Sequence, residues 1–335
     1  MNNIDVVLTW VDQNDPAWQA EKRKYEPRQE QAAADWSVTG DERYRDWDGA
    51  RYVLRSIDEF MPWVHRVHFV TWGHLPEWLD TSAPKLNVVR HEDMMDAKYL
   101  PTFNSSAIML NLCHIDGLAE QYVNFNDDTF AIKPTVPEDF FLNGKPRDMA
   151  CISPQPILRD VIRNVELNNL EIINDHFSID DIRRNKKKWL DFRNYGPYAL
   201  RTMLFMRYST IIGIFEPHIP NSHLRSVALE LWEKEFEAHD VTCKNRFRSK
   251  LDISEWVQRQ WQLVSGNFEP RSHKFGQLVS ASNLDAVRDI LWKSKCKLVC
   301  INDDNSVTAE NFPRIKQQVN AELVRLLPRK SSFEL

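Results

Sequence analysis

Glycine is scarce in this sequence, and its scarcity excludes several ways of binding a phosphate group. Only nine glycines are spread over the 335 residues, and no two lie closer than nine positions. A P-loop, a Rossmann dinucleotide fingerprint and a nucleophile elbow each need paired glycines within a few residues. If this chain handles a nucleotide, we therefore expect it to use side chains and a metal ion.

Long apolar runs, basic charge and closely paired cysteines are also missing. No apolar run reaches the roughly 18 residues of a membrane span, and Arg201 and Arg207 interrupt the longest candidate, residues 198–215. The formal net charge of −5 argues against a nucleic-acid-binding protein. The five cysteines lack zinc-site spacing and predict buried free thiols. A strand begins at Ile4 with no leader-like segment before it, so we expect a cytoplasmic protein.

Alternating strand-like and helix-like segments predict an α/β fold with a mainly parallel sheet. Strands are predicted at residues 4–12, 66–71, 86–90, 122–125 and 297–301. Helices are predicted at residues 46–61, 105–112, 222–239, 252–264 and 312–327, with further helices at about 155–215. In such folds ligands bind beyond the carboxyl ends of the strands.

Two strands end in the same acidic triplet. Asn126, Asp127 and Asp128 follow the strand that ends at Phe125, and an Asn-Asp-Asp triplet recurs at residues 302–304. Mg²⁺ in proteins favours one or two carboxylates together with substrate phosphates. Taken alone, such a triplet is more often a plain turn, but two acidic strand ends converging on one site would form a cation site.

One dense basic run, Arg183 to Trp189, lies in the helical part of the chain. A solvated helix face is one interpretation. The alternative is attraction to anionic lipid or polymer, which would place the protein peripherally at the inner face of a membrane, with Trp189 and Phe192 as interfacial anchors.

Four blocks, covering about two-thirds of the chain in the same order, resemble the Stealth family of hexose-1-phosphate transferases. They are Ile4 to Asp12 with Asn14, Asp15 and Trp18; segments between Tyr44 and Phe141; Pro217 to Ser249; and Cys300 to Asp303 with Leu327 to Phe333. The family includes bacterial capsular polysaccharide phosphotransferases and the catalytic part of animal GlcNAc-1-phosphotransferase. This chain departs from the family pattern at Gln13, where Gly is usual, and at Ser106 and Met109, where His and Glu are usual.

The resemblance implies one catalytic domain over residues 1–335, with a GT-A-like fold and a helical insertion at about 155–215. It also implies a reaction in which a hydroxyl of an acceptor glycan attacks the β-phosphorus of a UDP-sugar such as UDP-GlcNAc. Sugar-1-phosphate is joined to the acceptor and UMP leaves. Such phosphoryl transfer depends mainly on positioning and charge neutralisation.

Residue roles follow from the matched motifs and from chemistry. Asp127 and Asp128 are the predicted ligands of Mg²⁺ or Mn²⁺, and Asp303 is a second acidic candidate. His218 is the predicted general base or phosphate contact, and Arg248 would bind phosphate oxygens. A structural histidine and a solvated arginine are the alternatives. The predicted contacts to the nucleotide-sugar are Trp10, Val11, Asp12, Arg45, Arg51, Asn104, Ser105, Asn126, Ser249 and Asn302.

Two other functions stay open at this point. An ordinary glycosyltransferase of similar fold would break the bond at the sugar's anomeric carbon and release UDP. A non-catalytic polysaccharide-binding module rich in tryptophan would turn over no nucleotide-sugar.

Overall fold

The computed structural model describes residues 3–26, 45–304 and 306–335. Tyr44, the first residue of one matched block, lies outside them. The strands are β1 (Ile4–Thr9), β2 (Val67–Thr71), β3 (Leu86–Arg90), β4 (Gln121–Phe125), β5 (Thr129–Ala131), β6 (Phe141–Leu142), β7 (Lys145–Asp148), β8 (Asn221–Leu224), β9 (Glu269–Pro270), β10 (Gly276–Ser280) and β11 (Leu298–Asn302).

The helices follow the same order along the chain. They are α1 (Pro16–Tyr25), α2 (Gly49–Phe60), α3 (Ser105–Leu110), α4 (Val161–His176), α5 (Ile179–Arg184), α6 (Lys186–Trp189), α7 (Phe192–Tyr195), α8 (Pro197–Phe205), α9 (Arg225–Lys234), α10 (Phe236–Lys244), α11 (Trp256–Val264), α12 (Leu284–Trp292) and α13 (Phe312–Leu326). Short 3₁₀ helices cover His91–Asp93, Ala97–Tyr99, Leu112–His114 and Pro137–Asp139. No helix within the described ranges is both long enough and apolar enough to cross a bilayer.

The main sheet has five strands in the order β3-β2-β1-β4-β8. The first four are parallel, and β8 pairs antiparallel with β4 at the edge. Strands β2 and β4 are buried along their whole length, as is β1 up to its last residue, which is typical of parallel strands covered on both faces. The predicted α/β class with a mixed, mainly parallel sheet flanked by helices is confirmed.

A second sheet, β10-β11-β5, adjoins the first. Strand β5 begins right after β4, so the turn at residues 126–128 passes the chain from one sheet to the other. The backbone N–H of Ile301 in β11 donates to the carbonyl of Asp128 (2.9 Å). The two acidic strand ends, β4 and β11, therefore meet at one edge of the molecule.

The predicted helix at residues 222–239 is wrong at its start. The structure has strand β8 there, followed by α9 and α10. The side chain of Gln262 accepts from Leu224 N–H (2.9 Å) and donates to the carbonyl of Ser222 (3.0 Å), which occupies polar groups on the open edge of β8. Pairing with β4 outweighs the local helical pattern because it satisfies buried backbone groups that would otherwise stay unpaired.

The helical segment begins at Val161 and ends at Phe205, inside the predicted range, and its status as an insertion in a single domain stays a prediction. The predicted role of Trp189, in the basic run within this segment, is wrong. Trp189 is fully buried and packs against Phe268, so it cannot act as an interfacial anchor. Lys188 donates to the carbonyls of Gly266 (3.1 Å) and Phe268 (2.5 Å), and part of the run is therefore structural.

Candidate functional site

A cavity of about 940 Å³ opens at the carboxyl ends of β1, β4 and β11. Its wall also includes residues 218–220 before β8, the first residue of β8, and the residues at the starts of α4 and α11. This is where ligands bind in open parallel sheets. The predicted residues that line it are Trp10, Val11, Arg45, Ser105, Asn126, Asp127, Asp128, His218, Arg248, Asn302 and Asp303.

The acidic turn after β4 is held tightly in place. The hydroxyl of Thr129 donates to the carbonyl of Asn126 (2.8 Å) and accepts from its N–H (3.1 Å). On the other side, α2 begins at Gly49, and a Cβ atom at that position would lie 1.9 Å from the carbonyl oxygen of Asp127. Only glycine permits this approach of the helix to the turn.

Burial raises the pKa values of the two carboxyl groups in this turn. Burial raises the pKa of Asp127 to about 8, and the neighbouring charges of Asp128 and Asp46 add to the effect. Burial also raises the pKa of Asp128, against the opposing influence of His218. Charge of one sign concentrated in a buried site favours a bound cation.

Unpartnered buried oxygens indicate the same kind of ligand. Among the described residues, Oδ1 of Asn126, Oδ1 of Asp128 and Oδ1 of Asp303 are buried without a hydrogen-bond partner. Buried polar atoms are rarely left unsatisfied. These are carboxylate and carboxamide oxygens, the donor type that Mg²⁺ and Mn²⁺ prefer, so the residues present fit a hard divalent cation.

The structure groups Asp128 with two residues from distant parts of the chain. One carboxylate oxygen of Asp128, one ring nitrogen of His218 and the sulfur of Cys300 all lie within 4.8 Å of one another. The Cys300 thiol donates to Oδ2 of Asp128 (3.3 Å), and burial raises its pKa well above the usual value, so it acts as a neutral donor. The sequence analysis predicted Cys300 as a buried thiol at the start of a matched block and gave it no role at the site; its position two residues before Asn302 was the available signal.

Asp303, at the end of β11, is tied to residues before α2. Its Oδ2 accepts from the indole N–H of Trp47 (3.1 Å) and lies 3.5 Å from the guanidinium of Arg45. Burial raises the pKa of Asp303, and these two partners oppose the rise. Arg45 also donates to the carbonyl of Val307 (2.9 Å), so the structure presents a fixed guanidinium at the cavity wall.

His218 sits on a strained and well-supported loop. Its backbone has φ 52°, in the left-handed region that few non-glycine residues adopt. Its N–H donates to Oε1 of Glu216 (3.2 Å), and Oε2 of Glu216 accepts from the buried guanidinium of Arg259 (3.1 Å). Arg259 also binds both carboxylate oxygens of Asp148. Strain held by such a network is common at functional sites.

Arg248 and Glu255 both line the cavity and influence each other electrostatically. The guanidinium of Arg248 donates to the hydroxyl of Ser105 through Nε (3.1 Å) and a terminal nitrogen (2.5 Å). Burial raises the pKa of Glu255 to about 7, with Arg248 opposing the rise and Glu216 adding to it. Such pKa shifts cluster at functional sites. Glu255 and Trp256 line the cavity but fell outside the matched motifs, so the sequence alone did not single them out.

Four predicted contacts lie away from the cavity wall. Asn104 is buried and donates to Asp252 (2.8 Å). The backbone N–H of Ser249 also donates to Asp252 (2.8 Å), so both residues shape the loop that carries Arg248. Arg51 lies 3.4 Å from the carboxylate of Glu334. Asp12 accepts from the N–H of Asn14 in a local turn (2.8 Å).

This fold and this cavity define an α/β protein in which acidic strand ends, two arginines and a histidine meet at one cavity. Part of the chain matches two family models, Stealth protein CR1, conserved region 1, over residues 2–30, and Stealth protein CR2, conserved region 2, over residues 43–148.

Relatives match over nearly the whole length. A capsular polysaccharide phosphotransferase WcwK of Streptococcus pneumoniae is 39% identical, over 100% of this chain and 98% of the relative. A receptor polysaccharide phosphotransferase WefC of Streptococcus oralis is 35% identical over 100% of both. The exopolysaccharide phosphotransferase cps2G of Lactiplantibacillus plantarum is 33% identical, over 99% and 96%. The chain belongs to the Stealth family, and the predicted phosphotransferase class is confirmed.

Solved structures give a weaker likeness. The galactosyltransferase LgtC, in complex with donor and acceptor sugar analogs, is 10% identical with a TM-score of 0.37, covering 95% of each chain. Mouse xyloside xylosyltransferase 1 is 10% identical with a TM-score of 0.32, covering 90% of this chain and 98% of that one. Scores this low add nothing to the family assignment.

Proposed function

We propose that this protein transfers sugar-1-phosphate from a UDP-sugar to a hydroxyl of an acceptor glycan in polysaccharide synthesis. The observation that carries the proposal is one cavity that joins an acidic cation site, two arginines and a histidine. The names of the full-length relatives support the same chemistry. UDP-GlcNAc, or another UDP-N-acetylhexosamine or UDP-hexose, is the proposed donor.

The acidic end of the cavity is the proposed place of the donor's diphosphate. Asp127 and Asp128, with Asn126, Asn302 and Asp303 beside them, would hold Mg²⁺ or Mn²⁺. When bound, such an ion neutralises charge on the linked phosphates and stabilises the leaving nucleotide. Hard cations favour oxygen over imidazole and thiol ligands, so the His218 ring is left for proton transfer.

Arginines and aromatic residues complete the donor site. Arg45 and Arg248 line the cavity and would contact phosphate oxygens, as guanidinium groups commonly do. Ser105 orients Arg248 through the two hydrogen bonds it accepts. Trp10 and Val11 at the end of β1 are the proposed neighbours of the nucleoside. Asp12 lies in the adjoining turn, away from the cavity wall, and is proposed to contact the nucleoside from there.

The proposed step balances as follows. The acceptor hydroxyl oxygen bonds to the β-phosphorus, and the bond from that phosphorus to the bridging oxygen breaks, so that oxygen leaves with UMP. The hydroxyl proton passes to a ring nitrogen of His218, which Glu216 positions through the backbone. Geometry and charge supply most of the rate acceleration in such reactions.

The leaving nucleotide tests the proposal. Phosphorus NMR and chromatography of products from a panel of UDP-sugars should show UMP and a new phosphodiester. Release of UDP would overturn it in favour of ordinary glycosyl transfer, and glycan binding without turnover of any nucleotide-sugar would identify a binding module. Removing divalent cations with EDTA should stop UMP release, and added Mg²⁺ or Mn²⁺ should restore it.

A further inference from the structure

The cavity has a second end whose chemistry differs from the acidic strand ends. Its wall there comes from the starts of α4 and α11, and includes Ile162, Val165, Glu255 and Trp256. His218 lies between the two ends. A ring nitrogen of His218 is within 4.8 Å of an Asp128 carboxylate oxygen, and its ring centroid is 5.9 Å from that of Trp256.

The second end carries the Glu255 carboxyl, which would repel a phosphate group placed against it. The charge of Arg248 opposes the rise in the pKa of Glu255, so this carboxyl lies within electrostatic reach of a proposed phosphate contact. Among the described residues, the Glu255 carboxyl forms no hydrogen bond to another side chain. It is therefore available as an acceptor for a hydroxyl group of a neutral ligand.

The remaining groups at this end suit a sugar ring. Trp256 is partly exposed at the cavity wall, beside the apolar side chains of Ile162 and Val165. An aromatic ring and a few placed polar groups are the usual means of binding a small polar ligand with an apolar face.

The walls of this end are rigid relative to each other. The N–H of Ser254 donates to Oδ1 of Asn169 (3.0 Å), and Nδ2 of Asn169 donates back to the Ser254 hydroxyl (2.9 Å). Asn168 donates to the carbonyl of Asp252 (2.8 Å). These bonds tie α4 to the segment before α11, so Glu255 and Trp256 are presented in a fixed arrangement.

We propose that Glu255 and Trp256 form the binding site for the acceptor's terminal neutral sugar. Trp256 packs against the ring, and Glu255 accepts a hydrogen bond from a hydroxyl next to the one that attacks. This inference rests on the proposed function, because it places the acceptor on the side of His218 opposite the cation site.

Saturation-transfer NMR tests this site directly. The probes are the methyl glycosides of glucose, galactose and N-acetylglucosamine, added to the protein with UDP and Mg²⁺ present. At least one should bind, and Trp256→Ala and Glu255→Gln should each weaken its binding by about tenfold, with Trp256→Phe recovering most of the loss. The matched controls are Phe192→Ala and Glu171→Gln, because both side chains are exposed on the helical segment.

Two results would overturn this acceptor site. If no neutral glycoside binds the unaltered protein, or if both variants bind as the controls do, the acceptor site is wrong. UDP affinity, measured by calorimetry in the same variants, should stay within about twofold of the unaltered protein, because the nucleotide lies at the other end. The proposed reaction fails separately, through release of UDP in place of UMP by the unaltered protein.

Discussion

Replacement of Gly49 by alanine should move the acidic turn and so disable the cation site. The new Cβ atom would lie 1.9 Å from the carbonyl oxygen of Asp127, and this neighbour is backbone, which cannot rotate away. To reach even 3.0 Å, the turn and the start of α2 must separate by about 1.1 Å. Overpacking of this kind costs about 1–3 kcal/mol of folding stability. A displacement of about 1 Å at a reacting centre lowers the rate by about 100-fold.

Two measurements separate these effects. Thermal unfolding gives the stability loss, and UMP release at saturating UDP-sugar over a Mg²⁺ titration gives both the rate and the cation requirement. We expect Gly49→Ala to fold, to need more Mg²⁺ and to release UMP about 100-fold more slowly. Glu59→Ala on the exposed face of α2 is the control and should change neither quantity appreciably. A Gly49→Ala variant with unchanged Mg²⁺ dependence and rate would refute the packing argument.

Three further predictions address other parts of the molecule. Glu216→Ala should lower kcat about tenfold through loss of the hydrogen bond to the His218 backbone, whereas Glu216→Gln should retain most activity; equal kcat values for both variants would contradict this positioning role. Asp128→Asn should abolish Mg²⁺-stimulated UMP release while the thermal unfolding midpoint stays near that of the unaltered protein, and full activity would argue against the cation site. Burial lowers the pKa of His223 to about 3, so the folded protein keeps this ring neutral while the unfolded chain takes up a proton below about pH 6.5. The contribution of this ring to folding stability is fully present above that pH and falls towards pH 3. His223→Phe should therefore reduce the slope of unfolding free energy against pH, measured by denaturant titrations between pH 6 and pH 4, by about 1.4 kcal/mol per pH unit.

Much of the candidate site could be predicted because local signals coincided. Strand-like runs that end in polar residues marked Trp10, Asp127 and Asp303, and parallel strands bring such ends to one edge of a sheet. The α/β class followed from the alternation of apolar segments, which depends on periodicity rather than on distant contacts. The roles of these residues at the cavity stay predictions.

Other features could not be predicted, because partners far apart in the chain decide them. The Cys300 thiol contacts Asp128 only because β11 pairs with β5, across 172 positions. Residues 221–224 form a strand because β4 offers an unpaired edge there. Trp189 looked like a surface anchor in a basic run, but it packs inward against Phe268.

By itself, the sequence determined the class of fold, the acidic strand ends and the family, because short-range patterns and long collinear motifs carry that information. The tertiary structure alone decided that Asp128, His218 and Cys300 meet, that Gly49 must stay small, and that Glu255 and Trp256 face the same cavity. These are contacts between segments that only the packing of two sheets and the helical segment brings within a few ångströms, and no local pattern encodes them.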